Sequence, residues 1–229
     1  MVEKLVPRQH EQFRLDPLRH GAPAGVSPLY PFFVEYRRVV PPIYVGGTPG
    51  VGKTTVAKEV ARKLGIRYVN VAELAVSEGL VTGYDAERRA HIIDEEAVKR
   101  RLRKLASEGD AVIDTHVATA VPPELVDVAV VLRLDPRELK RRLEARGYPP
   151  AKVMENIQAE ILDSCLIEAV EAFGVKRTFE IDTTGKSIEQ VVDEILRIVK
   201  ERKGSKPGSV NWLEKLGDDA YRLLRGGRV

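Results

Sequence analysis

Ten residues, Gly46-Gly47-Thr48-Pro49-Gly50-Val51-Gly52-Lys53-Thr54-Thr55, carry the plainest chemistry in the chain. From Gly47 onward they satisfy G-x-x-x-x-G-K-[ST], the spacing of a phosphate-binding loop. The flanks agree: Ile43-Tyr44-Val45 is a short apolar run, and Val56 to Leu64 is amphipathic, so the context is strand, Gly-rich turn, helix. Gly47, Gly50 and Gly52 can take backbone angles closed to other residues. Successive N–H groups then turn inward around an anion, and the helix N-terminus adds positive potential. Gly50, Val51, Gly52, Lys53, Thr54 and Thr55 are thus expected to hold the phosphates of ATP. Lys53 should reach the β- and γ-phosphates, and the Thr54 hydroxyl should ligate Mg²⁺.

Three further groups fit this chemistry. Asp114-Thr115-His116 closes a short apolar run. In a parallel sheet the C-terminal strand ends border the ligand crevice, so Asp114 is placed to hold Mg²⁺ directly or through water. His116 either orients a water or a phosphate oxygen, or is a hydrogen-bonded loop residue. Arg146 precedes the turn Gly147-Tyr148-Pro149-Pro150. Phosphoryl transfer concentrates charge on three oxygens, and a mobile Arg at such a turn can close over it and exclude water. Arg141 and Arg142 read as a solvated helix face. Residues 70–93 border the crevice and carry Tyr84, Asp85, Arg88 and Arg89. A phosphoryl acceptor is expected there, with Arg88 or Arg89 either on its phosphate or as surface charges. The run Lys99 to Lys104 reads as a solvated face balanced by Asp94, Glu95 and Glu96. Cys165, the only cysteine, reads as a buried packing residue.

The elements that must position these groups alternate. Strands are predicted at Val39–Val45, Arg67–Val71, Ala111–Asp114, Val128–Leu134 and Phe179–Asp182. Helices are predicted after the loop to Leu64, near Ala72–Glu78, over Asp94–Ser107, from Asp135-Pro136 to Arg146, over Pro150–Phe173 and over Ser187–Arg202. A Gly-containing loop is expected through Gly83 and Asp85. Strands separated by helices imply a parallel sheet with helices on both faces. Residues 1–40, dense in proline, read as an extended N-terminal arm, and residues 41–203 as the catalytic domain. Residues 204–229 read as a basic helical tail after a Gly/Ser/Pro linker, with Trp212, Leu213, Leu216, Tyr221, Leu223 and Leu224 as one apolar stripe. From Lys200 onward eight Lys/Arg stand against four Asp/Glu, net +4. The tail either docks on its own domain or is a partner- or RNA-binding appendage.

Composition narrows the classes. A net charge of +3 does not by itself imply nucleic acid, and no apolar run approaches the length that spans a bilayer. The polar start does not read as a secretory signal, and a single cysteine forms no internal disulfide, so a reducing cytoplasm is expected. Scarce Asn, Gln, Met and Cys beside abundant Arg, Lys and Glu lean towards a protein made for high temperature.

Together these residues resemble the adenylate kinase isoenzyme 6 family, whose yeast member is a ribosome-assembly factor, and the chain reads as an archaeal member. The matching pieces are Gly47 to Thr55, Tyr68-Val69-Asn70-Val71, Gly83-Tyr84-Asp85, Asp94-Glu95, Asp114-Thr115-His116, Leu132-Arg133, Arg142 to Tyr148 and Glu155-Asn156-Ile157-Gln158-Ala159-Glu160. They run in order over about residues 42 to 200. The resemblance implies a P-loop NTPase of the adenylate-kinase-like, three-layer α/β/α class, with a five-stranded parallel sheet. It implies an NMP-binding segment near Asn70 to Ile93 and a very short lid near Ala145 to Glu155. It also implies transfer of phosphate from ATP to AMP with some ATP hydrolysis. The family ties the Asp of Asp-x-His to Mg²⁺ and the His to hydrolysis, and its lid Arg corresponds to Arg146. It is further linked to small-ribosomal-subunit maturation through a ribosomal protein of the platform, with rRNA as a possible further contact. Two alternatives stay open. One is an ATP-driven assembly switch in which kinase activity is incidental, and the other is a kinase for another small acceptor such as a sugar or a shikimate-like acid.

Overall fold

Alternation of side chains along one short strand shows how this molecule is layered. In the computed structural model, which describes residues 42–86 and 90–226, Ile43 and Val45 face one hydrophobic core while Tyr44 faces another. A strand buried on both faces reads as continuous apolar sequence, and its period of two divides it between two helical layers. In chain order the elements are β1 (Ile43–Gly46), α1 (Lys53–Leu64), β2 (Arg67–Asn70), α2 (Val71–Ser77), β3 (Val81–Asp85), β4 (Ala90–Ile93), α3 (Glu95–Glu108) and β5 (Ala111–Asp114). They continue as β6 (Val128–Arg133), α4 (Pro136–Ala145), α5 (Pro150–Ile161), α6 (Ser164–Phe173), β7 (Thr178–Asp182), α7 (Ile188–Glu201), α8 (Trp212–Leu216) and α9 (Asp218–Leu224).

The main sheet has the order β2-β5-β1-β6-β7, and all its pairings are parallel. With helices over both faces this is the expected three-layer α/β/α, P-loop fold. The chain leaves β1 towards β5 and β2 on one side, then crosses to β6 and β7 on the other. The crevice of such a sheet opens at that reversal, above the C-terminal end of β1. Local signals set the boundaries. Asn70, Asp94, Asp135, Ser187 and Asn211 each cap a helix with a side-chain oxygen, and Ser187 with Gln190 forms a capping box. Among the described residues the first strand starts at Ile43, just after Pro42, which cannot donate to a ladder.

Two predicted elements differ. The loop expected through Gly83 and Asp85 is an antiparallel hairpin, β3 with β4, in which Tyr84 faces His91. Both strands are largely exposed, so they lack the apolar alternation by which a half-buried strand is recognised. The single helix expected over Pro150–Phe173 is two, broken at Asp163, whose φ of 58° is left-handed. Short polar side chains tolerate that conformation, and Asp163 Oδ1 accepts from the buried guanidinium of Arg133 at 2.5 Å.

The tail's apolar stripe is narrower than predicted. Trp212, Leu216, Ala220 and Leu223 are buried in the core that β1 shares with α1, α5 and α7, while Leu213 and Tyr221 are exposed. Gly217 separates the two short helices. All described residues fall in one compact unit. The N-terminal arm, Arg88 and Arg89 lie outside the described residues. Among the described residues no helix is long and apolar enough to cross a membrane.

Candidate active site

The phosphate loop takes its shape from close approach of backbone to backbone. Gly47, Gly50 and Gly52 all have positive φ, at 128°, 104° and 104°. A Cβ on Gly47 would sit 2.3 Å from the Leu132 carbonyl oxygen, and one on Gly50 would meet Leu139 and Leu143 of α4. Any side chain at these two positions would push the loop off β6 and α4. The loop then runs directly into α1, whose N-cap, Gly52, offers no side-chain acceptor to the first turn. The opening N–H groups of α1 therefore remain for an anionic ligand.

Lys53 is buried, and its Nζ donates to the Thr48 carbonyl at 3.1 Å, back across the loop. Burial pushes its pKa down, opposed by the charges of Asp114 and Glu160. At the next residue, Thr54 Oγ1 donates to Asp114 Oδ2 at 2.8 Å. That contact brings together the two groups expected to hold Mg²⁺. Adjacent oxygens in an octahedral Mg²⁺ shell, with bonds near 2.0–2.1 Å, lie about 2.9 Å apart, so this pair fits one shell. Among the described residues there is no group of three or more His, Cys, Asp or Glu that could hold a metal alone. A donor set of one hydroxyl and one carboxylate suits Mg²⁺, which keeps waters and takes further oxygens from phosphates. It does not suit a metal that needs a full protein cage.

Asp114 is positioned by residues whose role the sequence did not disclose. The same Oδ2 accepts from Tyr68 Oη at 2.8 Å and from Asn70 Nδ2 at 3.0 Å. Both come from β2, which pairs with β5 so that Asn70 lies beside Asp114. Burial, reinforced by Asp114, raises the Tyr68 phenol to about 12, so it stays a donor. Asn70 meanwhile caps α2 with its Oδ1. All three partners of the carboxylate are neutral.

His116 stands at the crevice edge. Its surface is open to the crevice, yet protein on its other sides pushes its pKa down to about 4, with the nearby Lys53 charge as a second cause. It is thus neutral at pH 7. Arg146 is the exposed C-cap of α4, and only four residues separate α4 from α5. Gly147, with φ 72°, turns the chain there, and Tyr148, Lys152, Glu155 and Asn156 continue the wall. The crevice, about 560 Å³, is lined by Pro49, Gly50, Lys53, Thr54, Asn70, Asp114, His116 and Arg146, with Cys165 partly buried in its wall rather than in the core. Val51, which is buried, and Thr55, which is exposed, are expected at the phosphates but do not line the crevice.

Arg141 and Arg142 pair with Glu138 on α4, as a solvated face does. They border a second groove of about 660 Å³, with Asp135, Arg137, Thr184 and Lys186, which no phosphate-loop residue lines. In the basic run, Lys99 pairs with Glu96 as expected, but Arg101 and Arg103 reach Glu78 and Glu124. Asp94 instead caps Ala97.

Known proteins resemble this chain. A family model described as an AAA domain matches residues 43–163. A protein of Methanocaldococcus jannaschii named "Putative adenylate kinase" is 40% identical over 77% of this chain and 95% of its own. The adenylate kinase isoenzyme 6 homolog of Saccharomyces cerevisiae is 35% identical over 85% of this chain and 95% of its own. The chain belongs to the adenylate kinase isoenzyme 6 family. It is a nucleotide kinase of that kind. A solved shikimate kinase from Acinetobacter baumannii is 19% identical with a TM-score of 0.51, covering 71% of this chain and 94% of that one. That likeness shows the fold alone.

Proposed function

We propose that this chain transfers the γ-phosphoryl group of ATP to AMP, with Mg²⁺, and hydrolyses some ATP. The observation that carries the reading is the Thr54–Asp114 contact beside Lys53 at the mouth of the loop. It sets a cation site, a phosphate site and an uncapped helix N-terminus in one crevice. The loop N–H groups and Lys53 bind and orient the phosphates, and Lys53 leaves the Thr48 carbonyl to do so. Thr54 and Asp114 hold the metal ion, whose part is to neutralise charge on the phosphates. Arg146 adds charge from the α4–α5 turn, and closure of that turn limits water. The acceptor is received by the segment that brings Asn70, Ala72 and Ala90 to the crevice. AMP is chosen because the relatives' names specify adenylate kinase.

A coupled assay tests this. ADP should form from ATP plus AMP in excess of ADP from ATP alone, and Lys53→Ala should abolish it. If AMP adds nothing beyond hydrolysis, or if a sugar or hydroxy acid in a substrate panel serves instead, the AMP reading fails.

A second reading is favoured by His116, an unprotonated imidazole at the crevice edge that can accept a hydrogen bond from water. Here ATP hydrolysis resets an assembly switch acting on a small-subunit ribosomal protein of the platform and its rRNA, in the cytoplasm. The family resemblance supports that direction. AMP-independent ATPase activity that is lost in His116→Ala, with nucleotide-dependent capture of small-subunit components, is the expected result. No capture in either nucleotide state would reject it.

A further inference from the structure

We propose that the C-terminal segment is a positioning element of the phosphate loop, acting through Trp212 and Glu160. This rests on the reading that the loop binds nucleotide phosphates. Glu160, on α5, is 1% exposed and its carboxylate accepts four hydrogen bonds. Oε2 takes one from Thr48 Oγ1 of the loop at 2.5 Å. Oε1 takes the others, from Arg133 Nε at 2.8 Å, the Leu134 amide at 3.2 Å and Trp212 Nε1 at 2.9 Å. A carboxylate has about four acceptor sites, so Glu160 is saturated, and the loss of any donor leaves buried charge short of a partner.

Thr48 is the hinge of the relay. Its hydroxyl is fixed by Glu160 while its carbonyl accepts from Lys53 Nζ. Trp212 is itself held from the β7 side, where Glu180 Oε2 accepts from Ser209 Oγ at 3.0 Å and the Val210 amide at 3.1 Å. Arg133 Nη1 joins Glu180 to the same buried cluster at 2.5 Å. When Lys53 turns from Thr48 to a phosphate, the partner set of Thr48 changes, and that change reaches Trp212 through a single carboxylate. Coupling of this kind is reciprocal: whatever the tail does for nucleotide affinity, nucleotide does for the tail.

Trp212 is the only tryptophan in the chain, so its own emission reports the relay. Full-length protein titrated with MgATP should show a change in tryptophan emission that saturates with the calorimetric binding curve. In Thr48→Val, MgATP at saturation should no longer shift the emission. Trp212→Phe keeps an aromatic ring but removes the N–H donor, and calorimetry should show MgATP binding about tenfold weaker, the size of one hydrogen bond to a charged group. The double variant Trp212→Phe/Thr48→Val should bind within about twofold of Thr48→Val alone, because coupled sites are not additive. A tail that merely stabilises the fold would lower the melting temperature of Trp212→Phe and leave MgATP affinity unchanged, which overturns the proposal. A silent emission titration in a wild-type protein that binds MgATP also overturns it, even if Trp212→Phe does not fold. Absence of MgATP binding in the wild type overturns the nucleotide reading itself, and the proposal with it.

Discussion

Two carboxylates flank the phosphate loop, and they are treated in opposite ways. Asp114 sits at the crevice end of β5 with three neutral donors, all on one oxygen. Glu160 sits below the loop, sealed, and bonded to the guanidinium of Arg133, which Glu180 and Asp163 also share. Burial alone would lower the Arg133 pKa, but the surrounding carboxylates outweigh it and raise it further. Neutral donors hold Asp114 in place, and the charge it feels is that of Lys53 across the crevice. Glu160 is bonded directly to a buried guanidinium and serves to fix geometry. The carboxylate at the crevice is held by neutral hydrogen-bond donors, whereas the one beneath the loop is held by a guanidinium that it shares with two others.

Substitutions can break that comparison. The largest effect should come from Arg133→Met, which strands Glu160 and Glu180 without their cation. Removing one partner of a buried ion pair costs about 3–5 kcal/mol. At about 2–4 °C per kcal/mol for a domain of this size, calorimetry should show a fall of about 6–20 °C in Tm. A variant as stable as the wild type would show that the cluster is not a frame.

Asp114→Asn should behave in reverse. Its melting temperature should stay within a few degrees of wild type. Turnover should fall by about 10²–10³-fold, the usual cost of removing one charge-stabilising group, and activity should partly return at high Mg²⁺. If it melts as Arg133→Met does while remaining active, the two carboxylates have been assigned the wrong way round.

Glu160→Gln should combine both, with loss of stability and a raised KM for ATP, because the loop at Thr48 loses its acceptor. An unchanged KM would separate frame from loop. The smallest change is expected at Arg141, an exposed partner of Glu138 on α4. Arg141→Ala should alter stability by less than about 0.5 kcal/mol, and a larger shift by chemical denaturation would mean that this face is not merely solvated.

The loop was legible because its chemistry is local: eight consecutive positions fix both its glycine angles and its lysine. The strands buried on both faces and the capped helices were legible for the same reason. The β3–β4 hairpin was not, since its exposed strands carry no apolar period. The break at Asp163 was hidden too, because the group that holds it, Arg133, comes from a distant strand.

By itself, then, the sequence determined the phosphate loop, the strand-end Asp114 and the five strands of the main sheet, all set by neighbours within a few residues. Only the tertiary structure decided which oxygen of Asp114 meets Tyr68 and Asn70, and that His116 lines the crevice. It alone revealed that Glu160 joins Thr48 to a tryptophan 164 positions further along the chain. Such contacts depend on strand pairing and on burial of charge, and both arise only when distant segments pack together.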